Sequence, residues 1–368
     1  MDFQLSDDQR ALRAGVRELL ERVFDAEALR RAVGTGGLDR ELWRALGDAG
    51  FFSLRLPEER GGVGLGTVEA VLVFEEAGRT LLPGPLVATH LAAGTVEGAA
   101  TGEAVVARVD SGLIAWLDAA DHVMGAPGPV RGGGEGSTDG GGGGGSGAMD
   151  DADGAGRGSG SGAGVPAGPG ADRADGGDPA GRTGGGDAPG RAGDGDEAGR
   201  ADDGDEAGPV PLRSVDPLTP LHRVAAPGTP DPLAALLTAA EQLGSAGRTT
   251  GMAVRYAKER EQFGQPVGAF QAVKHLCAQM LVRTELARSA VYAAAVTGDP
   301  TEIAGAKLLA DDAAVHNARD CLQVHGGMGF TWEADVHLHL KRAWVRARMW
   351  PTAAEAEEIQ AEALAIAL

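Results

Sequence analysis

The chain has 368 residues, enough for two or three domains, but 60 glycines and a net charge of −20 are unusual for a compact fold of that length. Much of the excess lies in residues 131–208, which hold 31 of the glycines and 16 acidic residues but no Leu, Ile, Phe, Tyr or Trp. Ordering each of these residues would cost roughly 1–2 kcal/mol of backbone entropy, and almost no apolar surface is present to offset that cost. We therefore expect residues 131–208 to be a disordered insert and the rest of the chain to fold.

The same composition argues against several classes of protein. No apolar stretch reaches the roughly 18–20 residues of a membrane helix, and residues 1–10 lack the basic start and apolar run of a secretion signal. We therefore expect a soluble, cytoplasmic protein with no membrane partner. The acidic balance and the lack of clustered Lys and Arg argue against nucleic acid binding. Cys277 and Cys321 form neither metal-ligand spacing nor a disulfide framework, so we expect no metal site.

Helix signals dominate the first hundred residues. Ser6 and Gln9 form a capping-box pattern that predicts the start of a first helix. A second helix is predicted over residues 40–49. Thr67 is the predicted cap of a third helix, which must end before Pro83 because proline cannot continue it.

Short β-type runs lie on both sides of the glycine-rich segment. Residues 104–125 contain three such runs, and residues 210–226 contain two. Two or three strands on each side are too few for an independent sheet domain of usual size. We interpret them as one truncated β region that the insert divides.

From Asp231 onward the apolar spacing is helical almost to the end of the chain. Long amphipathic helices are predicted over residues 232–259, 270–296 and 300–324, and a fourth from Trp332. Short connections between long amphipathic helices favour an antiparallel four-helix bundle. The predicted fold class is mostly α. The expected domains are an N-terminal helical domain (1–100), a remnant of a middle β domain (101–130 and 209–230), the insert (131–208) and a C-terminal helical bundle (231–368).

Two stretches of the C-terminal half resemble segments of a known family. Residues 256–267, with the sequence YAKEREQFGQPV and followed by Phe270-Gln271, resemble the Arg-x-x-Phe-Gly segment of acyl-CoA dehydrogenases. Residues 323–330, with the sequence QVHGGMGF, resemble that family's Gln-x-x-Gly-Gly-x-Gly-Phe segment. Residues 3–9 and 56–66 resemble its N-terminal helices. The resemblance thus covers the N-terminal helices and the whole bundle.

The residues of these segments suit a cofactor that carries phosphates. Arg260 lies where a long helix ends, and a guanidinium is the donor best matched to a pair of phosphate oxygens. Gly326 and Gly327 permit close approach of the backbone to a ligand. Alone, such an arginine is usually a solvated cap and such a glycine pair is usually a turn. The resemblance implies that this region holds FAD across a subunit interface, in at least a dimer. The implied cofactor-binding residues are Arg260, Gln262, Phe263, Gln323, Val324, Gly326 and Gly327.

The sequence departs from the family in its middle part and at the position of the catalytic base. The strands that hold the flavin ring and wall the acyl-CoA pocket in the family are absent. The family's usual catalytic glutamate position falls on Trp350, and an alternative position on the first bundle helix falls on Ala234. Glu241 lies two helical turns from Ala234 on a similar face, among Ala and Leu residues that would raise its pKa toward that of a base. The alternative is an ordinary helix-face carboxylate or an ion-pair partner at an interface.

Two functions therefore remain open. The first is an FAD-dependent acyl-CoA dehydrogenase, in which a carboxylate removes the α proton of an acyl-CoA and electrons pass through the flavin to an acceptor flavoprotein. The second is a non-catalytic subunit that contributes half an FAD site to a complex with a second acyl-CoA dehydrogenase chain. The resemblance is closest to actinobacterial chains that act in pairs on steroid or other bulky acyl-CoA side chains. The missing strands favour the second function, whereas Arg260 and Gln323 favour retained flavin contact.

Residues 131–208 should exchange their amide hydrogens as fast as an unstructured chain, because the segment has no hydrophobic periodicity. Hydrogen–deuterium exchange measured by mass spectrometry tests this, with peptides from residues 232–259 as the protected control. Slow exchange across the segment would contradict the expectation.

Overall fold

The computed structural model describes residues 4–125 and 208–367. Within these residues helices dominate and a small sheet accompanies them, which confirms the predicted, mostly α fold class. Apart from Gly208, the predicted insert of residues 131–208 lies outside the described residues. The helices and the sheet belong to one unit of mutually contacting elements.

Four of the five helices described in the N-terminal part begin at a capping hydrogen bond. Helix α1 starts at the predicted capping box, in which Ser6 Oγ accepts from the Gln9 N–H at 3.1 Å and Gln9 Oε1 accepts from the Ser6 N–H at 3.0 Å. The cap of α4 is Gly66 rather than Thr67, and the Gly66 N–H donates to the Glu69 carboxylate at 3.0 Å. Helices α2 and α5 are short and were not predicted. In chain order the helices are α1 (Asp7–Val23), α2 (Ala26–Thr35), α3 (Arg40–Asp48), α4 (Thr67–Thr80) and α5 (Leu86–Ala92).

One sheet contains strands from both sides of the undescribed segment. Its strand order is β3-β1-β2-β5-β4, in which β1 and β3 are parallel and the other neighbours are antiparallel. Ile114 lies opposite Val109 on one side and opposite His222 on the other. The two sets of strands therefore form one small sheet, as the sequence predicts. The strands are β1 (Val106–Asp110), β2 (Leu113–Ala115), β3 (His122–Met124), β4 (Val210–Leu212) and β5 (Leu221–Arg223).

Three long helices of the C-terminal half match the predicted spans closely. The expectation that Trp332 begins a fourth long helix is wrong, because α9 begins at Val336 and has only 11 residues. The glycine-rich segment after α8 continues as a 3-10 turn and delays the next helix. A further helix follows Pro351, which interrupts the helical path. These helices are α6 (Pro232–Glu259), α7 (Gln271–Thr297), α8 (Pro300–His325), α9 (Val336–Arg346) and α10 (Ala353–Ala367).

Helices α4 and α6 cross with their backbones in direct contact. A Cβ atom added at Gly78 would lie 1.9 Å from the Glu241 carbonyl oxygen. A Cβ atom added at Gly244 would lie 1.9 Å from the Glu75 carbonyl oxygen. Only glycine fits at both points, so the crossing fixes the position of Glu241 relative to the N-terminal helices.

Replacing Gly244 by alanine should lower the free energy of unfolding by at least ~1–3 kcal/mol, because the new methyl group would overlap the α4 backbone. Gly251→Ala on the same helix is the matched control, since a Cβ atom there meets nothing within 4 Å. The control should gain roughly 0.5–1 kcal/mol from its better helix propensity. Urea unfolding followed by circular dichroism measures both variants, and a Gly244→Ala protein as stable as the wild type would contradict the close crossing.

Candidate functional site

A cavity of about 90 Å³ lies where the N-terminal helices, the sheet and the C-terminal bundle meet. Its walls come from residues 84–88, from β1 and β2, from α6 and from α9 and the residues that follow it. Apolar side chains such as Leu86, Trp116 and Met349 line part of it. Charged side chains line the rest, namely Arg108, Asp110, Glu241, Arg342 and Arg346.

Glu241 lies on α6 at this cavity, and its side chain is 7% exposed. Its Oε1 accepts a hydrogen bond from Arg346 Nη2 at 2.6 Å. Burial raises the pKa of the Glu241 carboxyl, and the positive charges of Arg346 and Arg342 act in the opposite direction. The Glu241 side chain is therefore buried, as its apolar neighbours in the sequence predict. It also forms an ion pair, and the partner is Arg346 of the same chain rather than a residue across an interface. Ala234, the alternative position for a base, lines the same cavity.

The two arginines of α9 have different surroundings. Arg342 donates to the Asp216 carboxylate and, at 3.2 Å each, to the backbone oxygens of Leu82 and Leu218. Arg346 is buried, and its Nη1 has no hydrogen-bond partner among the described residues. Burial lowers the pKa of Arg346 to about 10, although the Glu241 carboxylate acts to raise it. Arg342 thus joins α9 to the rest of the fold, whereas Arg346 makes its side-chain ion pair with Glu241.

A buried polar network holds α6, α8 and α9 in register beside Arg346. Gln242 Nε2 donates to Asp311 Oδ1 at 2.9 Å and to the Ala343 carbonyl oxygen at 3.1 Å. Lys307, which is fully buried, donates to the other Asp311 oxygen and, at 3.1 Å, to the Arg346 carbonyl oxygen. These bonds fix the backbone of α9 at the residue that pairs with Glu241.

Among the charged groups at the cavity, the sequence patterns singled out only Glu241 and missed the other four, Arg108, Asp110, Arg342 and Arg346. Arg342 and Arg346 are four residues apart on α9, so both lie on the same face of that helix. Two arginines at this spacing among apolar residues are the signal that could have found them. Asp110 ends a short strand and carried no comparable signal. Trp350 follows α9, and its backbone N–H donates to Asp110 Oδ1 at 2.6 Å.

The first group of predicted cofactor-binding residues lies at the C-terminal end of α6. Arg260 is the C-cap of that helix, and its side chain has no ion-pair or hydrogen-bond partner among the residues that the structure describes. Gln262 and Phe263 follow in a hairpin of two short strands, and the Phe263 side chain is 91% exposed. This group therefore presents a free guanidinium and an aromatic ring to solvent. The hairpin strands are β6 (Glu261–Gln262) and β7 (Gln265–Pro266).

The second group lies at the C-terminal end of α8. Gln323 is exposed, while Val324 is buried in an apolar cluster with residues of α6 and α7. A Cβ atom at Gly326 or Gly327 would meet nothing within 4 Å, so the backbone faces open space at both positions. Gly326 has φ +59° and ψ −140°, a conformation that residues with a side chain avoid. The backbone here is accessible to a ligand.

The structure brings these two groups to the same end of the bundle. The Tyr256 ring stacks on His325 with centroids 4.2 Å apart, and its hydroxyl donates to the His325 carbonyl oxygen at 3.4 Å. Exposed Met328, Phe330 and Trp332 continue the same segment. A free guanidinium, open backbone and exposed rings fit a group that combines phosphates with flat ring systems, as FAD does. We call this region the cofactor surface; it contains the predicted cofactor-binding residues Arg260, Gln262, Phe263, Gln323, Gly326 and Gly327, together with the buried Val324.

The cofactor surface and the cavity are separate regions of one chain. Glu241 and Arg260 are 19 residues apart along α6, which corresponds to roughly 28 Å at 1.5 Å per residue. The structure therefore does not bring Glu241 together with the predicted cofactor-binding residues.

Three further observations concern the described residues alone. No described helix is long and apolar enough to cross a membrane. No group of three or more His, Cys, Asp and Glu within residues 4–125 and 208–367 is arranged to hold a metal ion. Cys277 and Cys321 are free thiols, the first half-buried and the second buried.

Comparison with known sequences gives the family. The model of the acyl-CoA dehydrogenase C-terminal domain matches residues 233–368, and the model of the N-terminal domain matches residues 6–104. The chain is 30% identical to acyl-CoA dehydrogenase IpdE2 of Mycobacterium tuberculosis, over 92% of this chain and 91% of that protein. It is 33% identical to acyl-CoA dehydrogenase FadE34 of the same organism, over 92% of this chain but only 45% of that protein. The chain belongs to the acyl-CoA dehydrogenase family.

Solved structures share the fold at low sequence identity. The ChsE4-ChsE5 complex from Mycobacterium tuberculosis matches with a TM-score of 0.68 at 20% identity, covering 99% of both chains. The Tcur3481-Tcur3483 steroid ACAD variant matches with 0.68 at 20% identity, covering 98% of both chains. PigA with FAD and proline matches with 0.68 at 17% identity, covering all of both chains. At these identities the likeness establishes the fold alone.

Replacing Arg346 by methionine should lower the free energy of unfolding at pH 7 by ~3–5 kcal/mol, because it leaves the Glu241 carboxylate buried without its partner. In a Glu241→Leu background the same replacement should cost much less, because no buried charge remains to be left unpaired. Urea unfolding of the four proteins in a double-mutant cycle measures the coupling. Strictly additive losses would show that the two side chains do not interact.

Proposed function

We propose that this chain is a subunit of an FAD-dependent acyl-CoA dehydrogenase that introduces a double bond between Cα and Cβ of an acyl-CoA thioester. Family membership supports the class of reaction. The observation that supports the proposal most strongly is that one chain contains both a buried, charged cavity and an exposed cofactor surface. Electrons then pass to an acceptor flavoprotein, and the reaction takes place in the cytoplasm.

The residues of the cofactor surface suit distinct parts of FAD. The free guanidinium of Arg260 binds the pyrophosphate through charge-assisted hydrogen bonds. The open backbone at Gly326 and Gly327 lets the cofactor approach closely, and Val324 supports that backbone from below. The exposed side chains of Gln262, Phe263 and Gln323 supply amide groups and a ring for contact. When bound, FAD supplies the two-electron oxidant of the reaction.

The separation of cavity and cofactor surface supports an oligomeric site. A phosphate held at Arg260 lies roughly 28 Å along α6 from Glu241 of the same chain. A complete site then takes its cavity from one chain and its cofactor surface from another. The second chain is either another copy or a different acyl-CoA dehydrogenase chain. The ChsE4-ChsE5 neighbour, which is a complex of two different chains, supports the latter arrangement.

The base of the reaction is a carboxylate of the cavity, and Glu241 is the residue that the sequence proposes. If Glu241 accepts the α proton, Glu241→Gln lowers turnover by ~10²–10⁴-fold while flavin content stays unchanged. Turnover at the wild-type rate in this variant would assign the base to another group.

A second function is favoured by the ion pair between Glu241 and Arg346. Protonation of Glu241 leaves a buried guanidinium without a partner, and this cost argues against Glu241 as the base. A chain that lacks a competent base contributes its cofactor surface to a sister chain and performs no chemistry of its own. The steroid ACAD neighbour supports a bulky acyl-CoA as the substrate of such a complex.

Arg260→Ala should purify with little or no flavin while its helical content stays unchanged, because the substitution removes the charged contact to the pyrophosphate. Arg260→Lys should retain an intermediate amount, since lysine keeps the charge but loses the two-pronged geometry. Arg30→Ala is the matched control, an exposed arginine on α2 outside both sites. The ratio of absorbance at 450 nm to protein measures flavin content, and full flavin in Arg260→Ala would overturn the assignment.

A further inference from the structure

Ion pairs account for four of the five charged side chains that line the cavity. Each of the three arginines has its own carboxylate, and one of those carboxylates is the fourth charged group of the lining. The cavity charges are therefore largely neutralised within the chain. The pairs are Arg346 with Glu241, Arg342 with Asp216 and Arg108 with Asp231.

Asp110 is the fifth group, and its carboxylate lacks such a partner. No Lys, Arg or His nitrogen of the described chain lies within 4.0 Å of its oxygens. The Trp350 N–H donates to its Oδ1 at 2.6 Å, and Ser111 Oγ donates to the same oxygen at 3.3 Å. No described group donates to Oδ2. The hydrogen bonds to Oδ1 thus orient the carboxyl group, and Oδ2 is left for a ligand.

The surroundings of Asp110 favour proton uptake. Burial raises the pKa of the Asp110 carboxyl, and the Trp350 N–H and the more distant charges of Arg108 and Lys307 only partly oppose this. Proton uptake by Asp110 breaks no ion pair. Proton uptake by Glu241 would break its ion pair with Arg346 inside the protein. Burial raises the pKa of both carboxyl groups, so the ion pair is what distinguishes them: Asp110 takes up a proton without leaving a buried arginine unpaired.

We propose that Asp110 accepts the α proton of the acyl-CoA thioester, and that Glu241 serves as the charge partner of Arg346. This inference rests on the proposed function. Asp110 Oδ2 takes the proton from Cα, and the electron pair of that C–H bond forms the Cα=Cβ bond. The hydrogen at Cβ leaves with its electron pair to FAD, the oxidant. The products are an enoyl-CoA, a protonated Asp110 and a flavin reduced by two electrons.

Asp110→Asn is the central variant, because asparagine keeps an oxygen that accepts the Trp350 N–H but cannot take up the proton. Asp110→Glu restores a carboxylate and is the second variant. Asp48→Asn, at an exposed position at the end of α3, is the matched control. The flavin-loaded complex of each variant is mixed anaerobically with butyryl-CoA or cyclohexanepropanoyl-CoA, and flavin bleaching at 450 nm is followed by stopped flow.

We expect flavin reduction in Asp110→Asn to be slower by ~10²–10⁴-fold at unchanged flavin content, with partial recovery in Asp110→Glu and the wild-type rate in Asp48→Asn. Reduction within tenfold of the wild-type rate in Asp110→Asn would overturn the inference and leave the proposed function standing. If neither thioester bleaches the wild-type flavin, the proposed function and the inference both fail.

A second measurement is independent of turnover. Carboxyl ¹³C NMR of the full chain labelled at aspartate follows each carboxyl group through a pH titration, and the signal missing from Asp110→Asn identifies Asp110. We expect that signal to titrate above the ordinary aspartate range, because burial disfavours the charged form. Titration at or below the ordinary range of about 3.9 would overturn the inference.

Discussion

The close crossing of α4 and α6 is the constraint on which the cavity depends. Because Gly78 and Gly244 carry no side chains, the two backbones touch, and Glu241 lies at the point of contact. The residues that follow α4 are thereby brought against α6 and α9, where they form one wall of the cavity. Arg342 of α9 also donates to the Leu82 carbonyl oxygen, which joins the α9 wall to the residues that follow α4.

The chemistry of the cavity follows from the way its charges pair. Charges removed from water are tolerated when each has a partner, and the arginines at this cavity meet that condition. A carboxylate bound to a buried arginine can take up a proton only if the ion pair is broken. A carboxylate held only by uncharged donors, as Asp110 is by the Trp350 N–H and the Ser111 hydroxyl, takes up a proton without breaking an ion pair. The distribution of partners therefore separates the paired charges from the carboxylate that we propose to be reactive.

Local patterns in the sequence predicted most of the fold, and long-range contacts explain the rest. The regular apolar spacing after Asp231 predicted the bounds of α6, because this signal acts within one helix. Glu241 and Arg346 are 105 residues apart, and no local pattern encodes a contact that a helix crossing creates. Asp110 was missed for the same reason, since its neighbour Trp350 is 240 residues away. The cofactor surface was predicted only because its segments resemble those of a family.

The association of flavin binding with assembly is the most direct test of a site shared between chains. The measurement is sedimentation velocity with detection at 280 and 450 nm, on this chain alone and with any chain that co-purifies, across nanomolar to micromolar concentrations. We expect the 450 nm signal to sediment only with species larger than the 37.3 kDa chain, and flavin affinity to rise with the assembled fraction. A single species of 37.3 kDa that carries stoichiometric flavin would contradict the shared site.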